Sequence, residues 1–155
     1  MITRPSLRTT AQCLDRADRA RATAESLLRA DDEWFAVTYF YSAYHLVKAA
    51  FIEDPVFDAP DDLTGRDQRL GPEDRFVTRH QGSIDDSGRT LGVNDVVQSL
   101  YPGIAIEYYR LHMASRYVRY GSGLGVITAA SVVDDYGVIR DAWDSGLLRA
   151  EETWA

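Results

Sequence analysis

One segment of the chain, residues 33–51, restricts the fold more than any other. It reads EWFAVTYFYSAYHLVKAAF and is almost continuously apolar or aromatic. A helix that is apolar on nearly every side must be covered by other helices, from the same chain or from a second subunit. Four residues interrupt the segment and argue against a membrane span: Thr38, Ser42, His45 and Lys48. The segment therefore predicts a buried central helix, which runs to about residue 53 and ends before Pro55.

Three further segments have the apolar periodicity of long helices, and β-hairpin signals are absent. The predicted helices cover about residues 7–29, 103–120 and 128–148, and Asn94 caps a shorter one. Residues 54–92 carry scattered proline and glycine among many Asp and Arg residues, which predicts a long loop that is functional or partly disordered. The resulting fold is all-α: an up-and-down four-helix bundle with a long loop between helices two and three.

The chain has the length of one ordinary domain. We expect residues 1–155 to form a single helical unit with a core of about residues 7–148. The formal net charge of −7 opposes nonspecific attraction to nucleic acid phosphates, so any RNA contact needs a local basic patch. Cys13 is the single cysteine, and the N-terminal residues lack the apolar core of a secretory signal. A cytoplasmic protein without membrane association is the expectation.

The polar residues of the second helix are regularly spaced. Thr38, Ser42 and His45 follow i, i+4, i+7 spacing and so lie on one face as a narrow polar stripe. Such a stripe can join core helices by hydrogen bonds, line a cleft or face a partner. All three interpretations remain open for His45.

Several kinds of chemical site have no support in the sequence. The paired motifs of zinc and di-iron sites are missing, as are a nucleophile elbow and a phosphate-binding glycine loop. We therefore expect no metal and no cofactor. Arg116 and Arg119, at i, i+3, form a candidate anion site, although cations there also complement the helix dipole.

Three sequence patterns, one in each of two helices and one in the loop between them, together resemble those of a known protein family. The first is W-x2-V-x2-F-Y-x-A-x-H, from Trp34 to His45. The loop contains R-x4-H, formed by Arg75 and His80, and the last pattern is Y-x2-L-x3-S-R-x2-R-Y, from Tyr108 to Tyr120. Over about residues 10–148 this combination resembles bacterial HEPN-domain proteins.

The resemblance implies a small helical bundle, commonly a homodimer, in a superfamily that contains metal-independent RNases of toxin–antitoxin, phage-defence and CRISPR systems. It also implies that Arg75 and His80 form the active pair. His80 would act on the ribose 2′-OH or on the leaving oxygen, and Arg75 would stabilise charge on the phosphate. Thr38, Ser42 and His45 would then support the site or line its cleft. RNA is the implied substrate, and an antitoxin or another protein is an implied partner.

The same superfamily contains members without nuclease activity, which serve as binding or scaffolding modules. In that alternative, the chain is a catalytically inactive dimer that binds a protein or a small ligand. Its contact surface would be the aromatic face of the second helix and the SRYVRY end of the third, residues 115–120. The sequence does not decide between the two functions.

Overall fold

The computed structural model describes residues 9–85 and 88–150, which form six α-helices and one short β-ribbon. The helices are α1 (Thr10–Arg29), α2 (Phe35–Glu53), α3 (Pro60–Arg66), α4 (Val93–Leu100), α5 (Ala105–Tyr120) and α6 (Ala129–Asp144). Strands β1 (Ser83–Asp85) and β2 (Gly88–Thr90) pair antiparallel. Short 3-10 helices cover Pro55–Asp58 and Pro72–Phe76. The prediction of an all-α fold class is confirmed.

The segment between α2 and α4 differs from the predicted long loop. It contains α3, both 3-10 helices and the β-ribbon, whose strands the sequence did not signal. Each strand is three residues long, too short for the alternation that reveals strands in a sequence. Apolar side chains anchor this segment to the main core: Phe57, Leu63, Leu70, Val77 and Leu91.

Helix α2 is the central element of the fold. It packs against α1, α5 and α6, and most of its residues are buried. Its long contact with α1 includes buried alanines on both helices, since Ala17 and Ala24 of α1 share the core with Ala36, Ala43 and Ala50 of α2. Among the described residues, no helix combines the length and apolar character needed to cross a membrane.

Ser42 joins three helices through its hydroxyl group. Its Oγ donates to the carbonyl of Ala17 on α1 at 2.7 Å and lies 2.7 Å from the hydroxyl of Tyr136 on α6. Ser42 is fully buried. This part of the predicted polar stripe therefore links core helices, one of the three roles that the sequence left open.

Asp54 ends α2 and fixes three other segments to it. Its Oδ1 accepts from the backbone N–H of Val56 at 3.0 Å, at the start of the first 3-10 helix. Its Oδ2 accepts from the hydroxyl of Tyr101 at 2.9 Å and from the backbone N–H of Ala150 at 2.7 Å. Asp54 accepts these three hydrogen bonds in the interior, where the residue is only 3% exposed.

Lys48 is a buried amine on α2. Its side chain is 4% exposed, its Nζ donates to the carbonyl of Val77, and the amine lies 5.6 Å from the centre of the Phe51 ring. Burial lowers the pKa of Lys48 to about 8 because the charged form loses its hydration. The hydrogen bond ties the segment between α2 and α4, here called the inserted segment, to the central helix.

The lowered pKa predicts how stability depends on pH. The amine titrates near 10.5 in the unfolded chain and near 8 in the fold, so between these values the unfolded state binds more protons. Stability from this group is therefore gained as the pH rises from 8 to 10.5. We expect the free energy of unfolding of the wild type, measured in urea, to increase over this interval relative to that of Lys48→Met. A constant difference between the two proteins would show that the amine titrates normally in the fold.

Candidate functional site

Four residues of α5 share one face of the helix near its C-terminal end. His112, Ser115, Arg116 and Arg119 follow i, i+3, i+4, i+7 spacing, which aligns their side chains. His112 and Ser115 are buried, whereas Arg116 and Arg119 are exposed. No carboxylate pairs with either arginine among the described side chains. The face therefore presents two cationic groups beside a buried imidazole.

The segment before the β-ribbon brings His80 to this face. The first backbone N–H groups of α4 hold it, since Val93 N donates to the carbonyl of Arg79 at 2.7 Å and Asn94 N donates to that of His80 at 3.0 Å. Gly92 allows this close approach: a Cβ there would lie 2.6 Å from the carbonyl oxygen of His80. The backbone of His80 is thus fixed although the residue lies outside any helix.

The two imidazole rings lie side by side on an aromatic floor. The ring centres of His80 and His112 are 5.3 Å apart. Phe40 of α2 contacts both, at 5.3 Å from His80 and 4.9 Å from His112, and Tyr44 lies 5.0 Å from His80. The buried helix α2 therefore supplies the surface on which the histidines pack.

A small pocket of about 190 Å³ opens between these side chains. Its lining combines the aromatic floor, the two histidines and the two arginines: Phe40, His80, Gln81, His112, Ser115, Arg116, Arg119 and Tyr120. Pockets for drug-sized ligands start at about 300 Å³. The pocket is thus sized for one small group, and its charges favour an anion such as a phosphate.

The electrostatics keep both imidazoles neutral at neutral pH. Burial, and then the charges of His80, Arg116 and Arg119, lower the pKa of His112 to about 4. Burial and the charge of Arg119 also lower the pKa of His80. A bound anion would oppose both effects and favour the protonated forms. The pair can therefore exchange protons with a bound oxyanion.

Three buried polar atoms around the histidines have no hydrogen-bond partner in the part of the chain that the structure describes. They are Nδ1 of His80, Oδ1 of Asn94 and the hydroxyl of Tyr108. Asn94 is hydrogen-bonded to His112 through Nδ2 and Nδ1, 2.8 Å apart, which orients that ring. Unpaired buried polar atoms are costly, so this polar cluster beside the histidines requires a partner, which a water molecule or a bound polar group can supply.

Arg75 lies in a different environment from His80. Its guanidinium donates to the carbonyls of Phe51 and Asp54 at 3.1 and 2.8 Å and forms an ion pair with Asp58 at 3.0 Å. Phe51 lies eleven residues beyond Phe40 on α2, which is about 16 Å along the helix axis. The structure thus brings His80 together with Arg116 and Arg119, and it places Arg75 at the C-terminal end of α2.

The polar stripe of α2 does not line the pocket. Thr38 donates to the carbonyls of Trp34 and Phe35 of its own helix, at 3.2 and 3.1 Å. His45 is half-buried and contacts Tyr44, with the ring centres 5.2 Å apart. Burial, followed by the charges of Arg16 and Lys48, lowers the pKa of His45 to about 4. None of these observations links His45 to the pocket.

His112 is the site residue that the sequence interpretation missed. Its spacing from Arg116 and Arg119, four and seven residues, was visible in the sequence and places all three on one helix face. Tyr41 of α2 was also missed as a neighbour of this face, although its hydroxyl accepts from Arg119 at 2.8 Å. The helical spacing could have revealed His112, whereas the contact with Tyr41 depends on how α2 and α5 pack.

No family model, curated protein or solved structure matches this chain. Within the described residues, no group of three or more His, Cys, Asp or Glu side chains is arranged to hold a metal ion. The candidate site combines a pocket whose charges favour an anion with two imidazoles that can exchange protons.

Proposed function

We propose that the protein is a HEPN-like endoribonuclease that cleaves RNA without a metal ion, in a toxin–antitoxin or phage-defence system of the cytoplasm. The observation that carries the proposal is the meeting of His80 and His112 with Arg116 and Arg119 in one phosphate-sized pocket. Arg75, the partner of His80 in the sequence motif, is not part of this site. In the proposed fold, α1, α2, α5 and α6 form the four-helix bundle.

The proposed reaction needs one proton acceptor and one proton donor. One histidine takes the proton of the ribose 2′-OH as its oxygen attacks the adjacent phosphorus, and the other gives a proton to the departing 5′-oxygen. The bond between phosphorus and the 5′-oxygen breaks, which leaves a 2′,3′-cyclic phosphate and a 5′-hydroxyl. Arg116 and Arg119 stabilise the charge that develops on the phosphate oxygens.

The chemical nature of the product ends tests this proposal. Incubation of RNA with the purified protein in EDTA should yield fragments with 2′,3′-cyclic phosphate and 5′-hydroxyl ends. An otherwise identical RNA with a single 2′-deoxy residue at a mapped cleavage site should not be cut there, because the nucleophile is missing. Fragments with 5′-phosphate ends, or cleavage at the 2′-deoxy residue, would contradict the proposed reaction.

The two lowered pKa values predict an acidic optimum for kcat/KM. Activity requires one histidine to be neutral and the other protonated, and both pKa values are lowered from 6.5, that of His112 to about 4. The maximum lies between these values whichever histidine acts as the base, because the two titrations belong to the pair. We expect a bell-shaped profile with its maximum between pH 4 and 6.5. A maximum above pH 7 would contradict this arrangement of charges.

A second candidate is a catalytically inactive HEPN-like homodimer that binds an antitoxin or another protein. Its support is a set of exposed apolar side chains on α5, a feature common at interaction surfaces: Ile106, Tyr109, Tyr117 and Tyr120. In this case the protein is dimeric in light scattering and leaves RNA intact. Cleavage with the ends described above would exclude the inactive form.

A further inference from the structure

A larger cleft of about 720 Å³ adjoins the histidine pocket. Its lining comes from the segment before the β-ribbon, α4, the α4–α5 connection and the first half of α5: Gln81, Gly82, Asn94, Asp95, Gln98, Pro102, Ala105, Ile106, Tyr108 and Tyr109. Gln81 lines both cavities, and Asn94 of the cleft is hydrogen-bonded to His112 of the pocket. A molecule bound in the pocket can therefore extend into the cleft.

The cleft has groups suited to a flat heteroaromatic ligand. Asn94 and Tyr108 contribute polar side chains to its lining. Gln98 adds an exposed amide, and the ring of Tyr109 is 55% exposed. Exposed aromatic rings stack with unpaired bases, and side-chain amides donate to and accept from base edges. These features differ from those of a purely apolar groove.

We propose that this cleft binds the nucleobase of one nucleotide next to the scissile phosphate, and that it gives the enzyme a base preference at that position. The inference rests on the proposed function, since the phosphate in the histidine pocket places the base. Tyr109 stacks on the base, while the exposed amide of Gln98 bonds its edge. A pocket for the phosphate and a cleft for the base together suit one nucleotide within a single strand.

The test is calorimetric titration with the 3′- and 5′-monophosphates of adenosine, guanosine, cytidine and uridine, with inorganic phosphate as the comparison ligand. Tyr109→Ala should weaken the best nucleotide about tenfold, in line with the loss of one base-stacking contact. The affinity of the Tyr109→Ala variant for inorganic phosphate should equal that of the wild type. Gln98→Ala should reduce the difference in affinity among the four bases. Tyr117→Ala is the matched control, because Tyr117 is an exposed tyrosine of α5 that lines neither cavity.

The outcomes separate the base site from the RNase proposal. Nucleotides that bind no better than phosphate, or equally well to wild type and Tyr109→Ala, would overturn the base site even if RNA is cleaved. If nucleotide binding depends on Tyr109 while RNA stays intact, the base site is supported and the RNase proposal is contradicted. A matching preference in the cleavage of the sixteen ribodinucleotides would support both, and loss of that preference in Gln98→Ala would assign it to the cleft.

Discussion

Replacing His80 with alanine is expected to lower the rate of RNA cleavage by about 10²- to 10⁴-fold, the range for loss of a positioned general acid or base. His80 is the residue that brings a second titrating group to the face of α5, at 5.3 Å from His112. The variant keeps one imidazole, which can serve only one of the two proton transfers in the proposed reaction. The measurement is the single-turnover rate on a fluorescent RNA in EDTA.

Two controls make this result specific to catalysis. The fold should persist in His80→Ala, because His80 is only half-buried and its backbone is held by α4. Far-ultraviolet circular dichroism and the urea midpoint check this. Imidazole added to the variant should restore part of the rate, since the vacated space adjoins an open pocket. A variant that cleaves within twofold of the wild type would remove His80 from the mechanism.

Asp54→Ala is expected to reduce the free energy of unfolding by about 3 kcal/mol or more, since each of three donors that loses its acceptor costs about 1 to 3 kcal/mol. The carboxylate accepts from Val56 N, from the Tyr101 hydroxyl and from Ala150 N, and the residue is buried. Each donor is left without its acceptor in the variant. Urea denaturation followed by circular dichroism measures the change.

Tyr101→Phe provides the matched comparison for this prediction. It removes one donor while Oδ2 of Asp54 still accepts from Ala150 N at 2.7 Å, so we expect a loss of only about 1 kcal/mol. The ring of Tyr101 stacks on that of Phe51, with the centres 5.8 Å apart, and a phenylalanine at position 101 can keep this contact. Equal losses in Asp54→Ala and Tyr101→Phe would mean that the carboxylate adds nothing beyond its bond to the hydroxyl.

The helical framework could be predicted because its signal is local. The apolar character of residues 33–51 required a covered helix, and α2 is indeed the most enclosed element. The inserted segment could not be predicted, because its order comes from distant contacts. Lys48 holds the carbonyl of Val77, and Asp54 holds Ala150 from the far end of the chain. Neither pairing has a signature in the spacing of residues.

The candidate site was only partly predictable for the same reason. His80, Arg116 and Arg119 were identified, but the R-x4-H spacing linked His80 to Arg75. In the fold, Arg75 is occupied by the carbonyls at the end of α2 and by Asp58. A spacing rule describes neighbours along a helix or a turn, whereas His80 reaches α5 through the packing of the inserted segment. The contact of His80 with His112 is a tertiary contact, so only the structure could reveal it.

In the proposed reaction, Arg116 and Arg119 bind the reacting phosphate beside the two histidines. The most direct test of this role is RNA cleavage in EDTA by the wild type and by Arg116→Ala/Arg119→Ala. A matched control is Arg19→Ala/Arg21→Ala, which removes one exposed and one half-buried arginine of α1 that pair with Asp15 and Glu25.

Loss of a charge-stabilising group costs about 10²- to 10³-fold in rate, so the site variant should be at least that much slower. The control variant should cleave like the wild type. RNA left intact by the wild type, or cut equally fast by the site variant, would contradict the claim.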